Sequence, residues 1–324
     1  MEATLPVRKN WIDALRAMAI LLVVFGHQVQ WWDDYFSYTS AVKVPLFFAI
    51  SGYLFNTRNG DIKFFFSNLL KKIVIPYFLL AVAYGIITIP ILGVNHLPTY
   101  LYKIFSGDSF WFMPCLIIGE IFFFFSLKYI KERWIVGILT VVYFLVGLWL
   151  VKNDILSFGM VNNAMVIQLF LFMGYVFKQQ EQRLQNIDIR LVILGGIVYF
   201  FLCFIGSKYH LSDTLDVHLG DFGCLPFTLF LILWGNVFVF SLAMKIKHYP
   251  RFLVFIGQNT LLQYMWAGLG IAPILLFMKI RNIPTPEESL FFSCMCFVSS
   301  VIICSICSLF VNKYLPFMVG KTKK

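Results

Sequence analysis

Apolar runs of bilayer length alternate with short polar segments along almost the whole chain. Ten of these runs approach the roughly 17–25 residues that carry a helix across a membrane. They lie at about 11–31, 40–56, 73–94, 110–130, 134–151, 161–177, 189–207, 222–244, 252–278 and 289–312. No segment between them is long enough for a soluble domain, and no internal repeat stands out. The pattern predicts an all-α, polytopic membrane helix bundle of about ten transmembrane helices, forming one domain over residues 1–324. Of the 324 residues 60% are hydrophobic, 19% aromatic and 13% charged, which excludes the soluble classes. The first apolar run is of span length and no small-residue cleavage site comes after it, so no cleavable leader is expected.

The charges fix an orientation. With the N-terminus cytoplasmic, 19 of the 26 lysines and arginines fall in inside segments, five fall outside, and Arg16 and Lys43 lie within spans. Nine of the 16 acids fall outside, among them Asp33, Asp34, Asp108 and Asp154. The asymmetry predicts cytoplasmic termini and explains the net charge of +10 as topology and attraction to anionic lipid, with no nucleic-acid partner.

Against that background the first run is unusual, because it carries Asp13, Arg16 and His27. Charge at membrane depth costs about 2.5–3.5 kcal/mol per residue on insertion scales. At about 100° per residue, the eleven steps from Arg16 to His27 return to nearly the same direction, and Asp13 is a neighbour of Arg16 on that face. The three form one polar stripe, with roughly 16 Å of helix axis between guanidinium and imidazole positions. His27 is the candidate proton acceptor, since imidazole titrates near neutrality. Arg16 stays charged. Asp13 either closes a local ion pair with it or orients it toward an anionic ligand.

Other polar residues extend the set. Glu120 is an isolated acid midway along the fourth run, either a site residue or a protonated cross-helix link. Lys43, near the outer end of the second run, shares the cavity of His27 or snorkels to the interface. Lys71 and Lys72 open the third run, where a phosphate approaches from the cytosol. Asn259 and Gln263, four apart in the ninth run, hydrogen-bond a sugar or bridge helices. Trp111 stacks on a sugar or anchors at the interface. His210, Asp213, Asp216, His218 and Asp221 crowd one outer segment, read as a solvated loop touching the acceptor rather than a metal site. Cys294-x-Cys296 and Cys304-x-x-Cys307 have ligand-like spacing but sit in one lipid-length run, so they read as small packing residues and no metal is expected.

These residues fall into ordered motifs. Trp11-Ile-Asp-Ala-Leu-Arg16 leads, ten residues on, to His27. Then come Pro45-Leu-Phe-Phe-Ala-Ile-Ser-Gly-Tyr-Leu-Phe55, Lys71-Lys72 with Pro76-Tyr77, Phe110-Trp-Phe-Met-Pro114 and Phe255-Ile-Gly-Gln-Asn-Thr-Leu-Leu-Gln-Tyr264. In this order and spacing they resemble the acyltransferase-3 family of integral membrane O-acyltransferases, in particular its fucose 4-O-acetylase-like branch, across about 250 residues. Two positions depart from it: Lys43 stands where relatives often carry a His, and Trp266-Ala267 where a late His is common.

The resemblance implies transfer of an acetyl or other short acyl group from cytosolic acyl-CoA to a hydroxyl of an extracytoplasmic glycan or lipid-linked sugar. It implies a multi-pass protein of the plasma membrane (a bacterial inner membrane), acyl-CoA as a substrate rather than a resident cofactor, and membrane lipids as surroundings. Under it, His27, Arg16 and Asp13 are catalytic. Arg16, Lys71 and Lys72 bind donor, and Lys43, Trp111, Glu120 and Asn259 bind acceptor. The rival readings are a small-solute transporter and a glycosyltransferase using a lipid-phosphate sugar, for which Asp33 and Asp34 would be the acids.

Overall fold

The structure, a computed structural model, describes residues 9–57, 60–92, 94–212, 215–286 and 288–321. Asp213 and the basic residues Arg8, Arg58, Lys323 and Lys324 lie outside the described residues. Sixteen α-helices form the described fold, with a single isolated β-bridge between Asp216 and Asp221. Helices α1 (Asn10–Gly26) and α3 (Val44–Leu54) carry the first two apolar runs, with α2 (Asp33–Thr39) between them. Next come α4 (Ile62–Leu69), a π-turn over Leu70–Val74 and α5 (Ile75–Leu92), then α6 (Leu97–Ser106), α7 (Phe112–Tyr129) and α8 (Arg133–Lys152). The second half holds α9 (Val161–Val166), α10 (Gln168–Gln179), α11 (Glu181–Asn186), α12 (Ile189–Lys208), α13 (Leu225–Lys245), α14 (Arg251–Gln258), α15 (Thr260–Ile280) and α16 (Leu290–Tyr314).

Among the described residues seven helices are long and apolar enough to cross a membrane, and α9 with α10 makes an eighth, bent by 50°. The architecture is the all-α bundle of a multi-pass membrane protein. The expected ten spans differ in five places, the first, second, third, sixth and ninth runs. The second run does not form a full span, because Lys43 leaves the helical region (φ −101°, ψ −85°) and Pro45 then lacks the N–H an upstream turn would need. The helix beyond this break, α3, has 11 residues and about 16 Å of length. The third run starts early, at Ile62, where Asp61 caps α4 by accepting from the Phe64 N–H at 3.0 Å. The sixth run bends between α9 and α10, where Ile167 ends one helix and starts the next. The ninth run breaks at Asn259 (φ −125°, ψ 24°), whose side-chain amide takes over the carbonyl of Phe255 at 2.7 Å. The first run is helical over 17 residues and ends at Gly26, so His27 caps the helix rather than sitting inside it.

Close helix packing comes from small residues, as a membrane interior requires. α3 and α10 cross so tightly that a Cβ on Gly52 would lie 1.9 Å from the Leu171 carbonyl oxygen, and one on Gly174 1.7 Å from that of Ala49. α16 turns Ser293, Cys296, Ser300, Cys304 and Ser308 inward while Cys294 is exposed, so the two members of Cys-x-Cys point apart. The outer surfaces are apolar: α12 alone exposes Leu191, Ile193, Leu194, Ile197 and Phe201. Such a surface is stable only against lipid.

Candidate functional site

Of the polar stripe, Asp13 is buried, while Arg16 on α1 and His27 at its C-terminal cap face a cavity of about 1050 Å³. That is at the upper end of the roughly 300–1,000 Å³ of small-molecule pockets, large enough for two substrates meeting end to end. Arg16 and His27 both line it, as do Lys43, Lys72, Trp111, Glu120 and Asn259. Residues far apart in sequence thus converge on one space, contributed by α1, the start of α3, the π-turn, α7 and the α14–α15 break.

Arg16 is a third exposed to the cavity, and its Nη1 lies 3.9 Å from Oδ1 of Asp13. Asp13 itself is buried and also accepts from Gln258 Nε2 at 3.4 Å. The carboxylate therefore stands behind the guanidinium, away from His27, and holds it toward the cavity. α14 makes this possible. A Cβ on Gly257 would sit 1.7 Å from the Asp13 carbonyl oxygen, so the glycine lets α14 press directly on the first turns of α1.

His27, beyond the end of α1, is exposed to the cavity. Lys43 is its neighbour: the ammonium lies 4.5 Å from the ring centre of Phe36 and 3.5 Å from where a Gly26 Cβ would be. Gly26 leaves the room in which the Lys43 ammonium sits, close enough to act electrostatically on the imidazole. Glu120 faces the same space from the middle of α7. Trp111, just before α7, stacks on His218 with ring centres 4.8 Å apart, and Asp216 and His218 join the lining there. The segment carrying them is solvated on its polar side, where His210, Asp216 and Asp221 are exposed, and pinned on the other, where Leu215, Val217 and Phe222 are buried in the core.

The remaining sequence candidates separate. Lys72 lines the cavity from the π-turn, whereas Lys71, one step round it, is not part of the lining. Asn259 lines it too, but at the end shared with Arg16 and Lys72 rather than with Trp111. Its Oδ1 accepts from Asn312 at 2.8 Å and Lys321 at 3.2 Å, and Gly320 packs on the backbone of Lys71 and Lys72. Gln263 is not its partner on one face. Gln263 is buried and donates to Ser305 Oγ at 3.1 Å, tying α15 to α16. Trp266, where a late His was looked for, donates from Nε1 to the Leu80 carbonyl at 3.1 Å and anchors α15 on α5.

Sequence reasoning missed Tyr264 and Gln258 and did not single out His218. Tyr264 lines the cavity and its hydroxyl accepts from the Phe112 N–H at 3.3 Å, locking the late motif to the Trp111 motif. Both residues lay inside a motif already quoted, and the signal was there. For His218 the sequence offered only a crowd of polar residues. Among the described residues no group of three or more His, Cys, Asp or Glu has the placement of a metal site.

The cavity thus has a basic end (Arg16, Lys72, with Lys321 behind Asn259), a central acid and an end bearing two imidazoles, an ammonium and an indole. Such an arrangement can hold a polyanion at one end and activate a hydroxyl at the other. Among known protein families, the one described as an acyltransferase domain matches residues 9–309. No curated protein matches, and no solved structure matches.

Proposed function

This chain belongs to the acyltransferase-3 family and is a membrane acyltransferase, and on that premise we propose that it moves an acetyl or other short acyl group from acyl-CoA to a hydroxyl of an extracytoplasmic glycan or lipid-linked sugar. The observation that carries the reading is the shared cavity: Arg16 and Lys72 at one end and His27 and Lys43 toward the other line a single space. The charge asymmetry of the chain supports an orientation with the basic end facing the cytoplasm, the source of acyl-CoA in this reading. Arg16, backed by Asp13, and Lys72 receive the phosphates of the donor. The roughly 16 Å of helix axis from Arg16 to His27 is comparable to an extended pantetheine arm, so the thioester reaches the imidazole.

At that point His27 accepts the proton of the acceptor hydroxyl, and the hydroxyl oxygen attacks the thioester carbonyl carbon. Lys43 faces the oxyanion that develops on the carbonyl oxygen. The C–S bond breaks, the acyl group stays on the sugar oxygen, and the coenzyme A thiolate takes the proton back from His27. Binding of the two substrates from opposite ends keeps the nucleotide and the glycan on their own sides. The test is transfer of radiolabel from acetyl-CoA to membrane glycan by cells making the native chain and cells making His27→Ala at equal level. Hydroxylamine-labile label should appear with the native chain alone. Equal labelling by His27→Ala overturns the reading.

A further inference from the structure

The segment between α12 and α13 is built to present one side chain. The backbones of Asp216 and Asp221 pair through hydrogen bonds of 2.8 and 2.9 Å. Asp216 Oδ1 accepts from the N–H of His218 at 2.7 Å and of Leu219 at 3.2 Å, which closes the turn between them. From below, Asn163 of α9 donates from Nδ2 to the carbonyls of both Val217 at 3.0 Å and His218 at 2.8 Å. Asn163 is 2% exposed. A buried amide that holds two successive carbonyls fixes the backbone of the turn as firmly as a helix would. The outcome is the stack of the His218 imidazole on the Trp111 indole, with planes 29° apart, and both rings in the cavity wall. Asp216 lines the same end and acts electrostatically on Lys43.

None of this is needed for the proton transfer assigned to His27. It is what an acceptor subsite needs: a flat, rigid aromatic wall for the C–H face of a pyranose and polar atoms at its edge. We propose that His218, positioned by Asn163 and Asp216, forms with Trp111 the subsite for a sugar ring, and that its imidazole hydrogen-bonds a ring hydroxyl and so selects among epimers. The assignment deepens the proposed function, on which it rests for the reaction, but it concerns binding and is tested by binding. Sites that hydrogen-bond a hydroxyl reject analogues that misplace it, because the site's own polar group is then left unpaired.

The experiment titrates the full chain in lipid nanodiscs with the methyl glycosides of D-glucose, D-galactose and D-mannose, read by saturation-transfer NMR without acyl-CoA. The native chain should bind one epimer in preference to the others. His218→Ala should weaken that binding at least about tenfold, the scale of a hydrogen bond and a ring contact together. His218→Phe, which keeps a ring against Trp111, should bind the three sugars with the preference lost. If His218→Ala does not elute as a monodisperse protein, His218→Phe decides alone. Unchanged affinity and order of preference in the variants, or a native chain that binds none of the three sugars, overturns the assignment. Sugar binding that depends on His218 in a chain that transfers no acetyl group would instead contradict the proposed reaction and leave the subsite standing.

Discussion

His27 and Arg16 lie on the same helix face, yet their surroundings assign them different work. Arg16 has a buried carboxylate behind it, and His27 has an ammonium beside it. Asp13 is thus tied to the guanidinium and to the Gln258 amide, with no tie to His27 in the described contacts. Replacing Arg16 by Ala takes a counter-charge away from that buried carboxylate. Breaking a fully buried pair costs about 3–5 kcal/mol, and the cost here is smaller because Arg16 is partly exposed and 3.9 Å away. Arg16→Ala should therefore lower the thermal midpoint and raise KM for acyl-CoA. The double variant Asp13→Asn with Arg16→Gln should regain the midpoint and keep the raised KM, as thermal melts and steady-state rates would tell. His27→Gln should keep the fold and lose at least about 100-fold in kcat, the scale of a general base. The stripe was legible because helical period fixes which side chains share a face. What stands behind each was not: Gln258 and Gly257 reach Asp13 only through the packing of α14 on α1, about 245 residues away in the chain.

Among elements, the site depends on two close crossings. α14 on α1 sets the aim of Arg16, and α3 on α10 places the helix that begins just after Lys43. Gly257→Ala would drive a methyl into the Asp13 carbonyl and Gly174→Ala one into that of Ala49, at 1.7 Å in both cases. Both should cut folded yield sharply or, where protein survives, lower transfer. Gly195→Ala, which meets nothing within 4 Å, should express and act like the native chain. Detergent-solubilised yield by size-exclusion chromatography, with activity of the peak, checks all three. Hydrophobic run length found the long helices α7, α8, α12, α13 and α16 to within about three residues at each end, and the C-terminal end of α15. It failed at the breaks, because a run of apolar residues looks the same whether its helix is straight or interrupted. Lys43, Ile167 and Asn259 mark those breaks, and two of the three are polar residues that line the cavity. Interruption of a span and chemistry thus coincide, since backbone freed inside a membrane protein must face protein or water.

For the whole molecule, the cavity is polar at both ends, and the charge of the ends differs. In the proposed reaction, donor binding by Arg16 and Lys72 would be screened by salt, while a sugar held by rings and hydrogen bonds would not. Raising ionic strength should increase KM for acyl-CoA and leave KM for the acceptor nearly unchanged, measurable from initial rates at several salt concentrations. The ordered motifs foretold the family, and the lysine and arginine bias makes a sided protein the expectation that vectorial assays test. The convergence of α1, α7, the π-turn and the 216–218 turn on one space could not be read from a single chain, because span order does not state which helices touch.

Sidedness makes the central claim directly measurable. The chain is reconstituted in one orientation in sealed liposomes, with labelled acetyl-CoA on the side of Lys72 and a membrane-impermeant glycan acceptor on the side of Trp111. The account predicts that label crosses to the acceptor with the native chain and not with His27→Ala. Label that appears only when both substrates share one side, or that crosses equally with His27→Ala, would contradict it.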